Sequence, residues 1–268
     1  MENKNKMPAK ASENKTESDN KQKSFFGSFR KVSVTAGLTI GIILFSSIAL
    51  FTAMAVMAHN GVLRASREEY EALRERGRSV NETELENAGF GAGQWSAFDL
   101  EMRDINPDYV FWIRIDGTGI SYPVVRGDDN EKYLSTSFSG ESNPVGALFM
   151  DFRNELTSPH ILIYGHNLQE GGMFTDLRRF LNEEFLENNR YITLMVYGEE
   201  VTFEIFTARL SDIEDPAYDI ALGTPRLFSR FANRIGAPLR ATQIITLSTC
   251  TRGGSDDERL IVQGYRVW

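Results

Sequence analysis

The one cysteine of this 268-residue chain, Cys250, ends the run Ile244-Ile245-Thr246-Leu247-Ser248-Thr249 and is followed by a loop carrying Gly253 and Gly254. A thiol at the end of a strand is held by a rigid element yet reaches solvent, which is what a nucleophile requires. Taken alone, such a cysteine is more often an inert core side chain. Histidine supplies the second observation. Of the three histidines, His59 lies at the outer end of a long apolar segment, and His160, after Pro159, is expected to be solvated at the opening of a strand. His166, in Tyr164-Gly165-His166-Asn167, follows the apolar run 161–164 and again marks a strand end. A thiol and an imidazole so placed can form a nucleophilic pair in which the ring takes and returns the proton. Arg259 opens the run Leu260-Ile261-Val262, nine residues after Cys250. If those two strands are neighbours, its guanidinium approaches the thiol, favours thiolate and can hydrogen-bond an oxyanion. The competing role for Arg259 is a surface ion pair with Asp256, Asp257 or Glu258.

Short β-type runs must position these side chains. Residues 109–115, 120–125, 147–150, 160–164, 191–196, 201–208, 243–249 and 260–267 are each rich in Val, Ile, Phe, Tyr or Thr. Turn clusters such as Asp116-Gly117-Thr118-Gly119 and Gly127-Asp128-Asp129-Asn130 separate them. About eight short strands predict a mostly β fold closed, or nearly closed, into a barrel. Two helical interruptions are expected, at 174–187 and at 225–235, the second with Leu227, Phe228, Phe231 and Ile235 at core spacing.

The N-terminal part is of another kind. Residues 1–31 hold eight Lys or Arg against four acids, a net charge of +4; the whole chain carries −8, so the remainder carries −12. This polar, basic arm is expected to be disordered and cytoplasmic. Residues 32–63 contain no charge, and the apolar stretch 34–58 would span about 37 Å as a helix against the roughly 30 Å of hydrocarbon in a bilayer. A transmembrane signal anchor over 32–60 is therefore expected, and the competing cleaved signal peptide would need a shorter apolar core. Arg30 and Lys31 at its near edge direct the rest of the chain outward. Residues 61–105 read as a membrane-proximal helical region whose polar helix over 64–85 has a narrow apolar stripe at Tyr70, Leu73 and Val80, broken afterwards by Gly89, Gly91 and Gly93. Residues 106–268 form the barrel domain. The acidic balance argues against a nucleic-acid partner. The sequence shows neither a metal-ligand pattern nor a phosphate loop, so no metal and no cofactor are expected. A single cysteine excludes an internal disulfide.

Thr246-Leu247-Ser248-Thr249-Cys250, with Tyr164-Gly165-His166-Asn167 upstream and Arg259 downstream, resembles the sortase family, class B above all. The order His, Cys, Arg fits that family, whereas papain-like hydrolases place Cys before His. The likeness extends to Tyr122-Pro123-Val124-Val125, Asp129-Asn130-Glu131-Lys132-Tyr133-Leu134, Phe149-Met150-Asp151-Phe152-Arg153-Asn154 and Gly172-Met173-Phe174, and so covers roughly residue 106 to the C-terminus.

The resemblance implies an eight-stranded sortase-type β-barrel with N-terminal helices and a helix inserted before the cysteine strand. It implies a membrane-anchored cysteine transpeptidase of a Gram-positive cell envelope, with Cys250 as nucleophile, His166 as acid and base, and Arg259 on the oxyanion. Asn130, Leu134 and Ser248 would contact substrate. The partners implied are secreted proteins bearing a C-terminal sorting motif and an amine from a cell-wall precursor or a pilin. Three alternatives remain open at this point: a pilin-polymerising sortase, a cysteine hydrolase of peptidoglycan peptides, and a tethered binding module with an idle cysteine.

Overall fold

The computed structural model describes residues 13–83, 94–251 and 253–267. The chain divides into two compact units, Met1–Gly61 and Val62–Trp268. Helix α1 runs Glu13–Thr83 and so passes from the first unit into the second. Within it, Ala36–Arg78 contains a window long and apolar enough to cross a membrane, and Leu38, Ile43, Phe45, Phe51 and Met57 are all exposed. Of the arm expected to be disordered, residues 1–12 lie outside the described residues, while 13–31 are helical rather than disordered. Prolonging an existing helix adds a hydrogen bond per residue without a second nucleation cost, which lets a polar arm join an apolar helix. The expected glycine break at Gly89, Gly91 and Gly93 also falls outside the described residues.

The second unit is a closed barrel of eight strands: β1 Tyr109–Ile115, β2 Ser121–Val125, β3 Leu148–Met150, β4 His160–Tyr164, β5 Tyr191–Val196, β6 Glu199–Ser211, β7 Ile244–Cys250 and β8 Arg259–Arg266. Their order around the barrel is β1-β2-β3-β4-β7-β8-β6-β5. Closure leaves no strand edge exposed. Two neighbours are parallel, β2 with β3 and β4 with β7. The second of these pairs requires the long crossover that carries β5, β6 and helix α4, Pro225–Arg234. β6 and β5 meet at Tyr197 and Gly198, both with positive φ, the backbone of a tight two-residue hairpin. The helix expected over 174–187 is two pieces: a 3-10 turn at Thr175–Leu181, then α3 at Glu183–Asn188. Asn182 separates them because its side chain accepts from Phe185 N and starts a new helix.

Helices α2, α1 and α4 pack on the barrel. Helix α2, Ala97–Ile105, starts at a capping box in which Ser96 and Asp99 each bond the other's backbone N–H, and it buries Phe98 and Met102. The Val62 end of α1 contributes Tyr70 and Leu73 to the same core. Gly77 lets α1 cross the indole of Trp112 closely, since a Cβ there would sit 2.7 Å from the ring. A smaller cluster of Leu222, Phe231, Ile235, Ile244 and Tyr265 lies beneath α4.

Candidate active site

Alternation along three neighbouring strands creates a polar outer face. In β4, β7 and β8 the residues Ile161, Ile163, Ile245, Leu247, Leu260 and Val262 enter the main core. The residues between them, including His160, Thr246, Ser248 and Gln263, therefore project to the opposite face. His160 is buried there, not solvated as expected. Its Nδ1 is 3.0 Å from the Asp219 carbonyl and its Nε2 is 2.8 Å from Thr246 Oγ1, while Phe231 stacks at 4.6 Å. The carbonyl can only accept, so Nδ1 carries the hydrogen and Thr246 donates to Nε2. Thr246 Oγ1 in turn accepts from Gln263 Nε2 at 2.9 Å, and Gln263 Oε1 accepts from Arg209 at 2.8 Å. Burial pushes His160 down to about 4. It is a neutral structural group.

The same face continues to the chain positions of interest. The parallel ladder of β4 and β7 ends at Tyr164 opposite Ser248, and Gly165 N donates to the Ser248 carbonyl at 3.2 Å. Two residues further on lie His166 and Cys250. Asn167 Nδ2 donates to the Cys250 carbonyl at 3.0 Å, which ties the two strand ends together. Cys250 faces Arg259 directly across the antiparallel pair β7–β8. Residues so paired carry their Cβ atoms on one face, about 4.5–5.5 Å apart. Cysteine, histidine and arginine thus come to one end of the β4, β7 and β8 strands, from positions up to 93 residues apart in the chain.

Each is held differently. Cys250 is exposed. His166 is half-buried, with Nε2 2.8 Å from the Leu134 carbonyl. That carbonyl also only accepts, so Nε2 carries the hydrogen and Nδ1 is the proton-accepting nitrogen of the neutral ring. Among the described residues Arg259 makes no ion pair with Asp256, Asp257 or Glu258; its Nη1 donates to the carbonyls of Asp256 at 2.7 Å and Glu258 at 3.0 Å. The loop between Cys250 and Arg259 is closed at its neck by Thr251 N to the Glu258 carbonyl at 3.4 Å and by a Thr251–Glu258 side-chain bond.

Of the three expected substrate contacts, Leu134 exposes its side chain (44%) at the end of a 3-10 turn, Lys132–Leu134. Asn130 has both ends of its carboxamide engaged: Nδ2 donates to Asp151 at 2.9 Å, and Oδ1 accepts from Phe152 N at 3.0 Å. Asp151 is fully buried and also accepts from Arg153 and Tyr164. Burial works against its charge, but the Arg153 and Asn130 hydrogen bonds outweigh it and hold the carboxyl below the usual range. Ser248 is buried, its hydroxyl 2.7 Å from Tyr218 OH. Tyr218, in the turn Pro216–Tyr218, is the residue that sequence reasoning passed over. Burial raises its phenol, opposed by the Ser248 hydrogen bond and the Arg259 charge. Its loop position carries no periodic signal, and the Ser248 contact spans 30 residues. Among the described residues, no three His, Cys, Asp or Glu side chains are grouped to hold a metal.

The closed eight-stranded barrel sets a cysteine-bearing strand beside the strand that leads to His166, and the sortase-domain family model, that of a class of cysteine transpeptidases, matches residues 113–267. The chain belongs to the sortase family, cysteine transpeptidases that attach proteins to the cell wall. Its branch is class B. It is 31% identical to sortase B of Listeria monocytogenes over 185 residues, covering 62% of this chain and 74% of that protein. The structure of Clostridium perfringens sortase B aligns with a TM-score of 0.59 at 30% identity, covering 63% of this chain and all of that one. A Staphylococcus aureus sortase B–substrate complex aligns with a TM-score of 0.66 at 25% identity, covering 76% of this chain and 97% of that one.

Proposed function

We propose that this chain is a membrane-anchored class B sortase in which Cys250, His166 and Arg259 form the active site. The observation that carries the reading is the register: Cys250 opposite Arg259, with His166 and Cys250 two residues beyond the last parallel pair. The Cys250 thiolate attacks the carbonyl of a threonine in the sorting motif of a secreted protein. The oxyanion that forms is stabilised by the Arg259 fork. As the intermediate collapses, the peptide C–N bond breaks and the leaving amine takes a proton from the His166 imidazolium. The resulting thioester retains the reactivity of an acyl donor, so no nucleotide is consumed. An amine of the cell wall then loses its proton to His166, attacks the thioester and expels the thiolate, exchanging one amide for another. Leu134 supplies apolar contact to the motif, and Asn130 and Ser248 shape its groove through Asp151 and Tyr218.

The apolar part of α1 is the anchor, with the basic arm in the cytoplasm and the barrel on the outer side. Arg30 and Lys31 beside the apolar segment support that orientation. The test uses the full chain in detergent, incubated with a pool of peptides having an internal threonine, with and without triglycine. Mass spectrometry should find N-terminal fragments joined to triglycine. Fragments ending only in a free carboxylate, at every triglycine concentration, would make the chain a hydrolase instead.

A further inference from the structure

Four side chains of the α1 segment after Val62 reach the two loops that flank His166. The first loop joins β2 to β3 and presents the Leu134 carbonyl to His166 Nε2 at 2.8 Å. Tyr70 OH, 76 residues from its acceptor, donates to the Gly146 carbonyl at 2.7 Å and accepts from Phe138 N at 3.1 Å. Ser66 Oγ accepts from Asn143 Nδ2, and Glu69 accepts from Ser139 N at 2.9 Å. The second loop follows His166, and Arg67 pairs with Glu170 on it. The Tyr70 ring also meets Tyr122 edge-on at 5.6 Å, and Tyr122 OH accepts from Met173 N at 3.2 Å on that loop.

Gly146 is the point where these contacts converge on the imidazole. Its φ is +63°, and a Cβ there would lie 2.5 Å from the Tyr133 carbonyl and 3.2 Å from His166 Cδ2. The residue held by Tyr70 therefore lies close beside the ring, and Ala147 N next to it donates to the Tyr133 carbonyl at 3.0 Å, next to Leu134. Tyr70 is buried, and burial raises its phenol far above the ordinary value, so the hydroxyl stays protonated as both donor and acceptor.

We propose that Tyr70 is a positioning residue: the membrane-proximal helix, through the Tyr70 hydroxyl, fixes the 134–146 loop so that the Leu134 carbonyl holds His166 with hydrogen on Nε2 and Nδ1 facing the thiol chemistry. The effect on turnover rests on the sortase reading above; the effect on the imidazole does not. The helix is then part of the catalytic unit and not only a spacer.

The test compares full-length wild type, Tyr70→Phe and Arg78→Gln in detergent, the last altering an exposed ion pair on the same helix. Long-range proton–nitrogen spectra of labelled histidine at alkaline pH read the His166 tautomer without any substrate. Wild type and Arg78→Gln should show the Nε2–H form, and Tyr70→Phe a mixture of both forms. With triglycine and whichever threonine peptide wild type selects, Tyr70→Phe should lower kcat about fivefold or more and leave KM within about twofold, as expected for a misplaced group. Circular dichroism sets the temperature, below each variant's own transition. A Tyr70→Phe protein with the wild-type tautomer and kcat would overturn the proposal. If wild type transfers nothing, the functional reading fails, and the tautomer comparison alone judges Tyr70.

Discussion

His160 opens β4 and His166 lies two residues past its end, and their surroundings separate them. The ring of His160 is buried against Phe231, bonded at both nitrogens and driven down to about 4 by loss of solvent. His166 is half-buried and tethered at one nitrogen, next in sequence to Asn167, whose side chain bonds the carbonyl of the exposed Cys250. The same residue type is scaffold at one position and, in the proposed mechanism, the proton carrier at the other. Burial and the number of engaged nitrogens decide which, because a ring bonded on both sides in a dry environment cannot exchange protons near neutral pH.

The largest effect that sharpens this contrast belongs to His166. Replacing His166 by Gln should lower transfer about 10²–10⁴-fold, the usual worth of a placed acid–base group. Its unfolding free energy should stay within about 1 kcal/mol of wild type, as for most substitutions outside the core. Peptide–triglycine kinetics and urea unfolding on the same samples check both statements. Arg259→Lys comes next. An ammonium keeps the charge but loses the planar fork, so kcat should fall about 10²-fold with little change in stability. Equal loss at Arg259→Lys and Arg178→Lys, the latter remote in chain position, would remove Arg259 from the site.

At the buried end the expected change is in stability. His160→Gln disrupts the bonds to Asp219 and Thr246 and should cost about 1–3 kcal/mol, while the folded fraction still transfers. The pH dependence follows from the lowered value. Between about 6.5, the unfolded value, and about 4, the unfolded chain binds a proton that folded His160 refuses. Stability therefore falls as pH drops through that window, by about 3 kcal/mol in all from this ring. Urea midpoints from pH 7 to pH 4 should fall more steeply for wild type than for His160→Gln. Parallel curves would show that the two imidazoles do not differ as described.

Much of the barrel was legible because its strands alternate or run apolar. The runs at 109–115, 160–164 and 191–196 match β1, β4 and β5, and the others shift by a residue or so at their ends. β6 extends to Glu199–Ser211, beyond the run at 201–208. Pairing with β8 up to Arg259 prolongs it, and that partner lies far along the chain. The positions of Cys250 at the end of β7, Arg259 at the start of β8 and His166 just past β4 were legible from local patterning, which marks where a strand stops. The burial of His160 was not, because Asp219 and Thr246 are 59 and 86 residues away. Tyr218 and the Leu134 carbonyl escaped for the same reason. A backbone oxygen has no sequence signature, and a loop tyrosine becomes part of a site only when the crossover folds back. Asn130, for which the resemblance implies a substrate contact, has its carboxamide engaged within the protein, through Asp151 and Phe152 N, which no local pattern shows.

The central claim is that one exposed sulfur carries the acyl group between two amines. Full-length protein mixed with the threonine-peptide pool, quenched in acid and mapped by mass spectrometry, tests it most directly. The account predicts an acyl mass on the tryptic peptide containing Cys250, released by hydroxylamine as a thioester must be, and absent from Cys250→Ala. Peptide cleavage that persists in Cys250→Ala, or an acyl group carried on any other residue, would contradict it.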